Sequence, residues 1–511
     1  MLLDDFDRNA GQLGERRAVV EVSADGGVRE LSWRELAAEV DRVAAVLLSL
    51  GVSAGEPVAL QLPNRIEFVT ITLATLRIGA VCEPLMPIFR EHELEFMLRE
   101  SAARVLFVPD RFRGHDHAAM GSALREELPE LEHVLATSAL REHARTCSQD
   151  GEGDARARRP RPTDVAQLLF TSGSTGEPKG VLHRHEVLDG AADAHIRHFG
   201  LGADDVIYVP SPLAHQTGFL YGMWIAITLG VPQVIQEVWD PELGLDAMRR
   251  FGVTFVQAAT PFLADLTQLG EQPEALRTFV ATGAAIPREL ARSSREALGA
   301  EVGGAWGTTE SCLGTAFAPG DRPERAWQTD GRALDGVRIR VVDDRGEPLP
   351  PGTDGNFEVH TPWLFEGYLN RPELTAEALT GDGFYRTGDL ARIDADGYLR
   401  ITGRVKDVIN RGGEKVPVAE IEQLLFAHPA VHEVAIVAMP DERLGERACA
   451  FVVLVPGADL DLPEVRGYLE SHRVSKTYWP ERLEPVDALP KTPSGKIQKY
   501  VLRQVAQRIA A

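Results

Sequence analysis

The sequence predicts an α/β protein with a large N-terminal domain of α/β subdomains plus a barrel-like β subdomain, and a small α+β C-terminal domain. Three observations predict it. The chain has 511 residues, more than one hydrophobic core ordinarily serves. Up to about Ala305, short apolar runs alternate with stretches of helical spacing, the signature of α/β units. From Gly336 the pattern becomes short alternating strands with turns, and near residue 405 it changes once more.

Each element has its own reason. Ser32-Trp-Arg-Glu35 has the form of a capping box. Leu36, Val40, Val43, Leu47 and Leu50 follow at helical spacing, and Gly51 stops the helix. Val58–Leu62 reads as a strand ended by Pro63-Asn64, and Phe68–Ile78 as a helix with one apolar face. Ser148–Thr163 is polar, with Arg and Pro in its second half, and reads as a loop or linker. Val165–Phe170 is a buried strand, and a helix is expected from about His185. Strands follow at Val206–Val209, Gln233–Ile235, Thr254–Gln257, Thr278–Ala281 and Val302–Ala305, with helical stretches between. Val337, Ile339 and Val341 then face one way, Asp344-Arg-Gly346 turns, and Phe357–His360 pairs back. A helix begins at Ile421–Phe426, and strands lie at Val434–Ala438 and Cys449–Leu454.

Composition narrows the function classes. A net charge of −22 opposes a nucleic-acid surface, which needs clustered positive charge, and opposes docking on anionic lipid. The N-terminus lacks the basic and apolar regions of a signal peptide, and no apolar run is long enough to span a bilayer. Cys82, Cys147, Cys312 and Cys449 are scattered, so neither a zinc site nor a disulfide framework is expected. A cytoplasmic enzyme is the default expectation. Only seven of the 54 basic residues are Lys: Lys179, then six beyond residue 400. A chain that uses Arg for general charge keeps Lys where a compact, flexible ammonium is wanted.

The most informative stretch is Thr171-Ser-Gly-Ser-Thr-Gly-Glu-Pro-Lys-Gly180. Its glycines let the backbone approach a ligand, and consecutive N–H groups with short hydroxyls form a concave donor surface for phosphate oxygens. It is not the common P-loop, because Pro178 precedes the Lys and Gly180 follows it. It resembles the phosphate-binding signature of the adenylate-forming enzymes: acyl-CoA synthetases, adenylation domains and firefly-type luciferases. Further stretches match that superfamily in order, so the resemblance covers nearly the whole chain.

The resemblance implies roles residue by residue. Thr171, Ser172, Gly173, Ser174, Thr175, Gly176 and Lys179 would hold the ATP phosphates. Pro212-Leu-Ala-His-Gln-Thr-Gly-Phe219 would line the acyl pocket through His215, Gln216 and Phe219, at a strand's C-terminal end where open sheets bind ligands. Gly283, Ala284 and Ala285 would admit adenine, with Gly283 also facing the acid. In Gly304-Ala-Trp-Gly-Thr-Thr-Glu310, Trp306 would stack on the base or wall the acyl pocket beside Gly307, Thr308 or Thr309 would donate to a phosphate, and Glu310 would bind Mg²⁺. The family more often has Tyr where Trp306 stands. Asp389 in Tyr385-Arg-Thr-Gly-Asp389 would accept from both ribose hydroxyls, and Arg404 would contact ribose or phosphate. Lys406 falls at the family's hinge, Gly412 and Gly413 would face a pantetheine arm, and Lys496 in Pro493-Ser-Gly-Lys496 matches the mobile catalytic lysine.

The implied enzyme is an AMP-forming acid–thiol ligase using ATP, Mg²⁺ and CoA, with catalytic residues Lys496, Lys179, Thr309 and His215. Residues 1–404 would hold the ATP and acyl site, and residues 405–511 would form a mobile cap that alternates between two working positions. Pro212–Gly222, Gly413–Glu420 and Tyr478–Arg482 look closest to ligases of medium-chain and alicyclic acids such as cyclohexanecarboxylate. A bulky aliphatic, alicyclic or terpenoid acid fits, and no Asp stands in the pocket motifs to clamp an α-amino group. Transfer to a carrier-protein pantetheine or to a partner enzyme, a luciferase-like oxidation, and a binding protein without activity are the rival readings. Oligomeric state is left open, a homodimer included.

Overall fold

The computed structural model describes residues 1–146, 158–171, 178–283, 286–412, 414–491 and 497–510. Most of the linker reading at Ser148–Thr163 therefore lies outside the described residues, as do Ser172, Gly173, Ser174, Thr175, Gly176, Ala284, Ala285, Gly413 and Lys496.

Two large sheets carry the first part of the chain. One has seven strands in the order Gly367–Tyr368, Lys179–Arg184, Val165–Thr171, Val81–Pro84, Pro57–Leu60, Val105–Val108 and His133–Ala136. Its last five strands run parallel. The second has nine strands, and its parallel centre is Glu301–Thr308, Thr278–Thr282, Phe255–Ala259, Ile207–Val209, Gln233–Gln236 and Arg17–Val22. Every expected strand between Val206 and Ala305 is present within a few residues.

Local chemistry explains the helices. Ser32 Oγ accepts from the Glu35 backbone N–H, and Glu35 accepts from the Ser32 backbone N–H, so the capping box opens Trp33–Ser49. The helix Ile66–Arg77 buries all of its residues rather than a single face, because it is sandwiched between the sheets. The chain also forms a strand at Lys179–Arg184, antiparallel to Val165–Thr171, before the helix His185–Phe199. The phosphate-loop sequence thus joins a hairpin rather than running from strand directly to helix.

The barrel-like part is a four-stranded antiparallel sheet: Arg338–Val342, Gly355–His360, Tyr385–Ile393 and Leu399–Arg404. One continuous core joins these three sheets, from Phe68 and Trp224 to Phe317 and Phe357. Beyond Arg404 lie a 3₁₀ turn, Val405–Asp407, and a five-stranded sheet containing Val431–Asp441 and Gly445–Leu454. Two further cores there contain only residues from Ile409 onward.

Candidate active site

Thr171 and Lys179 face each other across the hairpin whose tip holds the phosphate-loop sequence. The strand Gly367–Tyr368 pairs with Lys179–Arg184, and this edge pairing brings Tyr368 under the lysine. Lys179 Nζ sits 4.9 Å from the centre of the Tyr368 ring, within cation–π range. The Tyr368 hydroxyl donates to Glu310 Oε1 at 2.8 Å. Burial, and then the charge of Glu310, push the Tyr368 and Tyr385 phenols above their usual range, so both stay neutral donors. Lys179, Tyr368, Tyr385 and Glu310 form one cluster, joining four separate segments of the chain.

Thr309 is fixed from the same strand. His183 Nε2 lies 2.7 Å from the Thr309 carbonyl oxygen, which only accepts, so Nε2 carries the hydrogen. Burial holds the His183 imidazole down to about 4, keeping it neutral. Thr308 Oγ1 accepts from the Ser311 backbone N–H, whereas the Thr309 side chain makes no hydrogen bond among the described residues. Gly307 stands at a bulge where an added Cβ would fall 2.4 Å from the Cys312 carbonyl oxygen, so no larger residue fits.

A second cluster centres on Asp389, which is 3% exposed. Asp389 and Arg404 are direct partners across the antiparallel pair, and Arg404 Nε donates to Asp389 Oδ1 at 2.9 Å. Trp306 Nε1 donates to Asp389 Oδ2 at 2.8 Å. The indole ring packs edge-on against Phe357 and lies over Gly314, where a Cβ would be 2.8 Å away. Trp306 therefore turns its polar edge to the carboxylate, and the fold places it beside the expected ribose residue. Each Asp389 oxygen keeps a further lone pair for a ligand hydroxyl.

The residues expected to line an acyl pocket divide. His215 caps the short helical turn Gln216–Gly218, and its Nδ1 accepts from the Thr217 backbone N–H. His215, Thr217, Thr282 and Gly283 line a small cleft at the carboxyl ends of the parallel strands. Gln216 is buried and is not part of that lining. Phe219 is fully buried, opening a π-helical turn, Phe219–Trp224, and packing on Trp224. Gly412 turns the hairpin between Ile409–Arg411 and Glu414–Val416 with φ 59°, and its N–H donates to the Leu444 carbonyl. Lys406 lies exposed on the 3₁₀ turn. Lys476, Lys491 and Lys499 sit in ion pairs with Glu470, Glu433 and Glu422, an ordinary fate for lysines.

Sequence reasoning passed over Tyr368, Tyr385 and His183. Tyr385 opens the motif ending in Asp389, a signal within reach; Tyr368 and His183 become relevant only through strand pairing.

The geometry suits a nucleotide and a second substrate meeting at the strand ends. The AMP-binding enzyme profile matches residues 6–369, and the AMP-binding enzyme C-terminal domain profile matches residues 420–496. The chain is 39% identical to the medium-chain fatty-acid–CoA ligase of Escherichia coli K12, over 90% of this chain and 83% of that protein. It is 36% identical to a salicylyl-CoA synthase / salicylate adenylyltransferase of a Streptomyces species, over 97% of this chain and 91% of that protein. The structure of the anthranilate CoA ligase AuaEII in complex with anthranoyl-AMP superposes with a TM-score of 0.90 at 27% identity, covering 100% of this chain and 98% of that one. The phosphate-side cluster, the buried Asp389 and these full-length matches agree: the chain belongs to the AMP-binding enzyme family.

Proposed function

We propose that this enzyme activates a carboxylic acid with ATP to an acyl-adenylate and then transfers the acyl group to CoA. The buried Asp389 carboxylate, held by Trp306 and Arg404 beside the Lys179–Tyr368–Glu310 cluster, carries the reading. In the first step a substrate carboxylate oxygen attacks the α-phosphorus, the bond to the bridging oxygen breaks, and pyrophosphate leaves. The work is positioning and neutralising charge. Asp389 takes the ribose hydroxyls and Arg404 braces it. Lys179 offers its ammonium to the outer phosphates, and Thr309 offers its free hydroxyl. Thr171 to Gly176 cradle the same phosphates, and Lys496 bridges the carboxylate and the α-phosphate as charge develops.

Glu310 is the residue that would hold Mg²⁺. Among the described residues no cluster of three or more His, Cys, Asp or Glu could bind a metal. One carboxylate fits Mg²⁺, which keeps waters and takes substrate phosphate oxygens as its other partners. Bound there, the ion supplies charge neutralisation at the phosphates.

In the second step the CoA thiol attacks the acyl carbonyl, a C–S bond forms, the C–O bond to AMP breaks, and the thiol proton passes to solvent. Residues 405–511 form the cap and residues 1–404 the body, with Lys406 as pivot; Gly412 and Gly413 face the pantetheine arm. Gly283, Ala284 and Ala285 flank adenine, and His215, Gln216, Phe219, Gly283, Trp306 and Gly307 surround a bulky aliphatic or alicyclic acid. Pyrophosphate release against a panel of acids, with and without CoA, tests this. CoA-dependent AMP and thioester formation is expected. Pyrophosphate without thioester would assign a carrier protein or partner enzyme as acceptor, and no release with any acid would overturn the reading.

A further inference from the structure

On elements beside the cleft, three buried polar side chains have atoms without hydrogen-bond partners among the described residues. Gln216 is 4% exposed and its Oε1 has no hydrogen-bond partner among the described residues. Its Nε2 reaches only the Cys312 thiol, at 4.0 Å. His195, on the helix His185–Phe199, is wholly buried, and neither ring nitrogen has a hydrogen-bond partner among the described residues. Gln257, 3% exposed, likewise has no hydrogen-bond partner among them for either amide atom.

These groups stand on neighbouring elements around the strand Phe255–Ala259. The His195 ring stacks on Tyr221 with 4.9 Å between centres and meets Phe255 edge-on at 5.7 Å. Tyr221 in turn lies beside Cys312 and the Leu313 backbone. On the strand Phe255–Ala259, Phe255, Gln257 and Ala259 face one way by alternation, whereas Val256 and Ala258 enter a different core. Phe255 meets His195, and Ala259 lines the cleft with His215 and Thr282. Gln257 is therefore set between the cleft and His195, and the Gln216 turn packs over the same strand. The π-helical turn Phe219–Trp224, a feature concentrated at functional sites, carries Tyr221 into the cluster.

Buried polar groups in native proteins are nearly always hydrogen-bonded. Three buried side chains around one strand, with polar atoms left without hydrogen-bond partners among the described residues, mark a place where a ligand or a water can supply them. Burial also keeps the cluster uncharged: it holds the His195 imidazole well below its usual range and pushes the Cys312 thiol up to about 12.

We propose that the acid carries a neutral hydrogen-bonding substituent, a hydroxyl or carbonyl, on the part of its body remote from the carboxylate, and that Gln216, Gln257 and His195 bind it. A second carboxylate or an ammonium group finds no counter-charge among these residues. The proposal rests on the acid-activating function above and narrows its substrate class.

Pyrophosphate release without CoA tests it on matched pairs: cyclohexanecarboxylate, benzoate and octanoate, each against its hydroxylated and keto forms. At least one substituted member should exceed its parent about tenfold or more in kcat/KM, equivalent to about 1.4 kcal/mol. His195→Phe and Gln257→Leu, tested separately, should each lower that ratio. Smaller ratios in every pair, or a ratio that neither variant lowers, would overturn the proposal and leave water as the occupant. If either variant fails to fold, the other and the parent enzyme's own ratios still decide. Absence of release with every acid would instead remove the acid-activating function itself, and this inference with it.

Discussion

Trp306→Phe isolates one atom of the proposed ribose side of the site. Phenylalanine keeps an aromatic ring against Phe357 and Gly314 but lacks the N–H that donates to Asp389 Oδ2 at 2.8 Å. A hydrogen bond to a charged group contributes about 1.5–3 kcal/mol. Asp389 is buried, so the lost donor is not replaced by bulk water. Arg404 remains on the other oxygen, but its side chain is 49% exposed and its hold is partly screened. The expected result is a loss of about 1.5 kcal/mol or more: KM for ATP rises about tenfold or more, with KM for the acid nearly unchanged. The assay is pyrophosphate release at saturating acid with ATP varied, then the reverse, with a thermal melt to confirm folding. An unchanged KM for ATP alongside a raised KM for the acid would refute the argument and place Trp306 in the acyl wall.

Lys496→Ala should slow adenylation by about a hundredfold or more, the usual cost of losing a charge-stabilising donor, while sparing thioester formation from preformed acyl-adenylate; equal loss in both half-reactions would contradict its role. Tyr368→Phe removes the donor to Glu310 and should raise the Mg²⁺ concentration needed for half-maximal pyrophosphate release by about tenfold; an unchanged Mg²⁺ titration would separate Glu310 from the metal. Glu83 is a fully buried carboxyl pushed up to about 8 by desolvation, so its protonated form's stability is complete below about pH 4.5 and is lost as pH rises toward 8. Glu83→Gln should gain on the parent across that window, by roughly 2 kcal/mol between pH 5.5 and 7 at about 1.4 kcal/mol per unit; denaturation midpoints whose gap stays constant with pH would rule this out.

Periodicity made the parallel strands legible because each is a short apolar run bounded by turns, as at Thr278–Thr282 and Phe255–Ala259. It failed where tertiary surroundings override the local pattern. Ile66–Arg77 contains Glu67 and Arg77, which suggest a polar face, yet Glu67 is buried against Arg29 and Arg141, and Arg77 against Asp7 and Asp41. Lys179–Arg184 escaped notice because His183 breaks the apolar run, and that histidine is buried for its bond to Thr309. In the site, motif residues such as Asp389 and Trp306 could be named from sequence. Their mutual bond could not, because 83 positions separate them. Gln257 and His195 carry no motif; only burial without partners distinguishes them.

The division of cores bears on how one site can serve two reactions. The main core ties both large sheets and the antiparallel sheet into one body, so the nucleotide cluster and the cleft hold a fixed relation. The cores beyond Ile409 share no residue with it. Arg404 is fastened to Asp389 on the body side, and Asp407 is fastened to Arg503 of the C-terminal helix on the other. Between these anchors stand Val405, half exposed, and Lys406. We propose that rotation there would change a few backbone torsions and leave both sets of cores packed, as a two-position cap requires. Under the proposed division, Asp389, Glu310 and Lys179 fall in the body and serve both steps, whereas Lys496 and Gly412 fall in the cap and serve different steps.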